Sequence, residues 1–521
     1  MGWKETIAER GKRVVAPAFD RGRKLLDHPA LLRVTTDDRV MKVAAGVMEA
    51  PSRMRAAVKI LVNGHELPNI DPALDRHPSD GDARSGARPT KRTNGAASLS
   101  VETSGTVDDF DRDRTTLAGL GGKDLLKKCY EFKTADNARK LGVYPYFRPL
   151  DFNDGPEAMI EGRRVVMFGS NNYLGLTTHP RVREAAKEAI DRFGTSMTGS
   201  RLVNGSMKLH EEFEQRLAAF FGKESALVFT TGYQVNIATL SALLSNKFSV
   251  AVIDRNVHAS LYDGVRLGQA AGARMVRYRH SDPASLDKAL SKLDPHEGAL
   301  VITDGVFSAE GEIAKLDEIV PIVKKHRARI MIDDAHALGV IGPQGRGTAH
   351  YFGLEKEVDI IGGTFSKSMA SIGGWLVGDR KVLDYVRHFA PSYMFAASAA
   401  PPSVAAAMAA FEVMQEEPWR MEQLRENFTY MRDELTRLGF ELGKTETAVI
   451  PIYIRQDLRT LRVWRTLLED YGIYTNPFIS PGVPPKNAML RTSYMATHER
   501  SHLDRGLEAF EKVGKKYGVI S

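Results

Sequence analysis

The sequence predicts an α/β protein: a large domain built on a mostly parallel sheet, a smaller α/β domain at the C-terminal end, and a helical N-terminal extension. Three observations predict it. Short, nearly continuous apolar runs recur between residues 226 and 379, as expected of strands covered on both faces. Helical patterns such as PRVREAAKEAIDRFG and LHEEFEQRLAAFFG lie among them. A chain of 521 residues is too long for one compact domain.

Residues 1–67 form the extension. Thirteen Lys/Arg against seven Asp/Glu in residues 1–60 give +6 of the chain's net +7. The bulk of the protein is therefore close to neutral, which argues against a nucleic-acid-binding core. Val40, Val43, Val47 and Met48 share one helical side, and Met54, Ala57, Val58 and Leu61 resume the pattern after Pro51. Two readings stay open. One is peripheral contact with anionic lipid at the inner membrane surface; the other is a helical hairpin packed on itself or on the rest of the chain. Residues 68–118 hold so few apolar side chains, and so much Pro, Gly, Ser and Asp, that they read as a disordered linker. An arm (119–165), a large domain (166–404) and a small C-terminal domain (405–521) follow.

The strands of the large domain read as ALVFTTG (226–232), FSVAVID (248–254), ARMVRY (273–278), GALVITDGVFS (298–308), ARIMIDDAH (328–336), VDIIGGTFS (358–366) and GGWLVGD (373–379). The segment beyond 405 opens on long helical patterns and then mixes strand and helix, as in TAVIPIYIR and SHLDRGLEAFEKVGKKYG. No run of about 18 apolar residues suggests a membrane span, and the charged start MGWKETIAER does not read as a secretory signal. One cysteine, Cys129, fits a reducing cytoplasm and supplies no metal site.

In a parallel sheet, functional groups gather past the strand C-termini. His258, Asp333, His336 and Lys367 all fall there, and Gly232 and Tyr233 sit where a strand gives way to a helix. Singly these are ordinary residues: a core histidine, a helix-capping aspartate, a surface lysine. Together they meet the needs of pyridoxal 5′-phosphate (PLP). A buried lysine amine forms a Schiff base. An aspartate keeps the pyridinium protonated. A histidine stacks on the ring, and a helix N-terminus takes the phosphate.

The motifs MFGSNNYLGL (167–176), GTSMTGSRLVNGS (194–206), TTGYQVN (230–236), DRNVHAS (254–260), DGVFSAEGEIAKL (304–316), DDAHALGVIGPQGRG (333–347) and GTFSKS (363–368) follow one another in order. Through them, residues from about 140 to 515 resemble the α-oxoamine synthases, PLP enzymes of fold type I. GTFSKS, GVYPYFR, SYMFAAS and RTSYMATH are most similar to bacterial serine palmitoyltransferases. The resemblance implies a decarboxylating condensation of L-serine with a long-chain acyl-CoA, palmitoyl-CoA, to 3-ketodihydrosphingosine. Another amino acid or a carrier-protein thioester is the alternative. It implies a homodimer whose sites are shared across the interface.

Carried over by residue, Lys367 would hold the cofactor and move the serine α-proton. Asp333 would pair with the pyridine nitrogen, His336 with the ring oxygen, and His258 would stack on the ring. Gly232, Tyr233, Thr364 and Ser366 would hold the phosphate. Arg491 would take the substrate carboxylate, with Tyr173 and Asn171 near the entrance. The Pro-rich segment before Arg491, NPFISPGVPPKNAML, resembles the family's mobile loop. Two positions depart from the pattern. Asp334 stands where the family has glutamate, and Ala396 where it has a hydroxyl that reaches the neighbouring subunit's phosphate; Ser398 is the hydroxyl that remains.

Overall fold

The computed structural model describes residues 124–521. The basic extension (1–67) and the linker (68–118) lie outside the described residues. Residues 124–144 belong to a separate compact unit and carry two short helices, Lys127–Glu131 and Thr134–Lys140. The second closes on Leu141, whose N–H reaches the Asn137 carbonyl at 3.0 Å. Arg139 lies 4.4 Å over the Tyr144 ring.

From residue 145 the chain first makes an antiparallel meander: β1 (Phe152–Asp154), β2 (Glu157–Ile160) and β3 (Arg163–Met167). The central sheet then uses β4 (Ser225–Phe229), β5 (Ser249–Asp254), β6 (Arg274–Tyr278), β7 (Gly298–Asp304), β8 (Arg329–Asp333), β9 (Ile360–Thr364) and β10 (Gly374–Gly378). Their spatial order is β4-β10-β9-β8-β7-β5-β6. Strands β9, β8, β7, β5 and β6 are parallel. Val250–Ile253 and Ile330–Ile332 are fully buried, so these strands read as unbroken apolar runs because helices cover both faces.

One strand runs the other way. β10 pairs antiparallel with β4 on one side and β9 on the other. Thr364 and Gly374 are register partners, so the nine residues between them leave the sheet and return to it at the same level. Trp375 on β10 explains Gly363: a Cβ there would lie 2.7 Å from the indole. The indole stacks at 4.4 Å on Phe221, from the helix Lys208–Phe221.

The C-terminal part adds β11 (Val449–Tyr453), β12 (Ile473–Tyr474), β13 (Asn476–Phe478) and β14 (Met489–Ser493). β11, β14 and β13 form a second antiparallel sheet. β12 pairs parallel with β3, so residues 152–167 share a sheet with the C-terminal segment. No helix among the described residues is long and apolar enough to cross a membrane.

Candidate active site

The parallel strands end on one edge, and β5, β7, β8 and β9 close with Asp254, Asp304, Asp333 and Thr364. A cavity of about 230 Å³ opens there. Gly232, Tyr233, His258, Asp333, His336, Thr364, Ser366 and Lys367 all line it. Of the residues expected from sequence, these eight are brought together.

One side of the cavity comes from the helix Gly232–Leu243, which follows β4. Its N-cap Thr231 accepts the Gln234 N–H at 3.1 Å. The earlier N–H groups, of Gly232 and Tyr233, remain for a ligand. Thr364 Oγ1 lies 2.8 Å from Ser366 Oγ and donates to the Gly373 carbonyl at 3.0 Å. Helix start and strand end meet closely because residue 232 is glycine: a Cβ there would sit 2.5 Å from Thr364 Cβ. The Tyr233 phenol is bonded to Asp263, and its ring stands edge-on to His258 at 6.1 Å.

Asp333 is 6 % exposed and takes a donor on each oxygen, Asn236 Nδ2 at 2.7 Å and the Ala335 N–H at 3.0 Å. Asn236 also reaches Ser260 Oγ at 2.8 Å, which lies 2.7 Å from His258 Nδ1. The Ser260 N–H also donates to that nitrogen, at 3.3 Å. His258 Nδ1 is thus the acceptor, and its proton sits on Nε2. Burial lowers the His258 pKa and keeps the ring neutral.

A second chain of contacts holds Arg491, which β14 delivers from the C-terminal part. Its guanidinium is 3 % exposed and donates to the Ser308 carbonyl at 2.6 Å, Ser493 Oγ at 2.9 Å and Asn171 Oδ1 at 2.9 Å. Asn171 Oδ1 lies 3.3 Å from the Tyr173 hydroxyl, which lies 2.6 Å from His336 Nδ1. Asn171 also borders a more open cavity of about 450 Å³ that Lys367 lines as well.

Lys367 is held off its ordinary value. Burial pushes its pKa down to about 8, against the pull of Asp333. Ser398 is placed elsewhere. Its N–H bonds to the Gly199 carbonyl at 3.0 Å, its hydroxyl is buried without a partner, and it does not line the cavity around Lys367. Asp334 is fully buried behind the site. It accepts the Thr348 N–H at 2.9 Å, and its carboxyl fills space that Cβ atoms at residues 305 and 347 would need. Four contributors were not foreseen: Asn236, Ser260, Asp304 and Ser308. Asn236 was within reach, since four residues after Gly232 on a helix is the same face.

The sequence profile of the class I and II aminotransferases matches residues 163–510. A serine palmitoyltransferase of Sphingobacterium spiritivorum is 43 % identical over 397 residues, 76 % of this chain and 98 % of that one. The chain is an α-oxoamine synthase of this family. A serine palmitoyltransferase of Bacteroides ovatus is 44 % identical, covering 76 % of this α-oxoamine synthase and 99 % of the relative. An 8-amino-7-oxononanoate synthase of Thermoanaerobacter pseudethanolicus is 38 % identical, covering 78 % and 100 %. Among solved structures, the S. paucimobilis serine palmitoyltransferase with a bound PLP–myriocin aldimine superposes with a TM-score of 0.73. It is 35 % identical and covers 76 % of this chain and all of its own.

The cavity fits the cofactor of this α-oxoamine synthase, PLP. A low-pKa amine (Lys367), a carboxylate tied by two donors (Asp333) and a helix start open to an anion (Gly232) face one space. Asn236 Oδ1 has no partner within the protein.

Proposed function

We propose that this enzyme condenses L-serine with a long-chain acyl-CoA, palmitoyl-CoA, releasing CO₂ and CoA and forming 3-ketodihydrosphingosine, the first step of sphingolipid synthesis. The observation that carries the reading is the 43–44 % identity to serine palmitoyltransferases across nearly their whole length.

Bound PLP supplies an electron sink for the charge left when the α-proton departs. The rest falls to side chains. With a pKa of about 8, Lys367 spends a useful fraction of its time as the free amine that takes the serine α-proton and later returns one. Asp333, fixed by Asn236, would pair with the ring nitrogen. His258, neutral and held by Ser260, would cover the ring face. The fork of Arg491 holds the serine carboxylate, and its three existing partners keep it aimed before substrate arrives. His336 would donate from Nε2 to the ring oxygen. Burial of all these groups keeps water from competing for the proton.

The shared-site homodimer belongs to the same reading. Leu202, Val203 and Phe395 are 53 %, 72 % and 73 % exposed, and the Ser398 hydroxyl beside them lacks a partner. A second copy covers that surface and gives Ser398 a phosphate to bind. We place the enzyme in the cytoplasm, with residues 1–67 as its candidate contact to anionic lipid.

The test is a panel of amino acids and acyl thioesters given to purified holoenzyme, with thiol release as the readout. Serine with palmitoyl-CoA is the expected best pair. No CoA release from that pair overturns the proposal. The match to 8-amino-7-oxononanoate synthases supports a second reading, another amino acid or a carrier-protein thioester, and the same panel identifies it.

A further inference from the structure

The cavity holds a second carboxyl group that the roles above leave unused. Asp304 closes β7 and is the register partner of Asp333 on β8. Both side chains therefore leave the same face of the sheet at neighbouring strand ends. Asp304 is 3 % exposed and lines the same cavity.

The two carboxyls are served unequally. Asp333 has a donor on each oxygen. Asp304 receives one N–H, that of His258, on Oδ1 at a long 3.3 Å. The charged and titratable groups around it are Asp333 on β8, Asp254 on β5, Tyr278 on β6, His258 on the loop after β5 and Lys367 on the loop after β9. Two carboxylates side by side in a dry site repel, and the one with fewer donors takes the proton. Burial and the Asp333 charge both push Asp304 well above the usual carboxylate range.

We propose that Asp304 is a positioning residue kept as a neutral carboxylic acid. Its carbonyl oxygen takes the His258 amide and so sets the ring-covering histidine. Its O–H faces the cavity, and Asp333 stays the single carboxylate beside Lys367. An ionised Asp304 would instead add a second anion and hold Lys367 protonated. This rests on the PLP chemistry of the family, not on which amino acid or thioester the enzyme takes.

Two measurements test it on holoenzyme without any turnover. The first is the pH titration of the bound-cofactor absorbance in wild type and Asp304→Asn. Replacing a neutral acid by an amide removes no charge, so the midpoint should move by less than about 0.3 pH units; loss of an ionised neighbour would lower it by about one unit or more. A drop of that larger size overturns the proposal. The second needs no variant. In wild-type enzyme labelled with [4-¹³C]aspartate, the infrared carbonyl stretch of a neutral carboxyl should persist at pH 9, where Asp334, with a pKa of about 7, has ionised. A spectrum with only carboxylate bands at that pH overturns it, whatever the substrate panel shows.

Discussion

The Tyr173 hydroxyl lies 2.6 Å from His336 Nδ1, and both side chains are buried. The phenol has one proton and two neighbours, and His336 is much the nearer. Nδ1 is therefore the acceptor, and the ring proton sits on Nε2. Burial and the Lys367 charge hold the His336 pKa well below its usual value, so the ring stays neutral. Tyr173 thus decides which face of His336 donates.

Tyr173→Phe should keep the fold and the cofactor absorbance but free Nδ1 to take the proton. Losing a buried hydrogen bond of about 1–3 kcal/mol predicts a kcat roughly 10- to 100-fold lower. Steady-state thiol release against serine and palmitoyl-CoA measures it. An unchanged kcat would mean the tautomer does not matter.

Loading of PLP onto apoenzyme should follow the neutral fraction of Lys367. The rate should rise about tenfold per pH unit up to about 8 and then level off. A lysine at its ordinary 10.5 would make the rate climb through pH 10 instead. Stopped-flow absorbance across pH 6–10 separates the two.

Gly232→Ala places a methyl 2.5 Å from Thr364 Cβ and pushes the helix start off the end of β9. Overpacking of this kind costs about 1–3 kcal/mol, so PLP should bind roughly 10- to 100-fold more weakly. Titrating apoenzyme with PLP reads the affinity. Alanine is the better helix former, so a variant that binds as well as wild type would place the phosphate elsewhere.

Burial raises the Asp334 pKa from 3.8 to about 7. Between those values the folded protein holds a proton that the unfolded chain gives up, so the wild type loses stability as pH rises from 4 to 7. The loss amounts to at most about 4 kcal/mol. Asp334→Asn has no proton to lose and keeps an acceptor for the Thr348 N–H. Its advantage in urea midpoint over wild type should widen between pH 5 and pH 8.

Much of this was readable in the chain. The strands announce themselves as apolar runs; Asp333 closes one, and Lys367 and His258 come within a few residues of the ends of two others. The direction of β10 is less legible, because GGWLVGD looks the same whichever way it runs. The clue is the nine-residue gap after β9, short for a parallel crossover of a dozen residues or so. Asp304 and Ser260 were hidden for another reason. They matter because β7 lies between β5 and β8, and strand order leaves no periodicity in the sequence. The Tyr173–His336 bond spans 163 residues and the Arg491–Asn171 bond 320, so no local pattern carries either.

The loop that carries Lys367 has both of its ends sewn into adjacent strands, and it is braced within by Phe365 N–H to the Gly373 carbonyl and Ser371 N–H to the Phe365 carbonyl, each 3.0 Å. Its closure is a short-range event, available as soon as β9 and β10 zip, long before β14 brings Arg491 from more than a hundred residues away. The reactive amine therefore has its mount before the rest of the site has assembled around it. For an engineer the same arrangement marks a segment that cannot be lengthened or cut: an insertion between residues 365 and 373 would unzip the sheet at its middle, not decorate its rim.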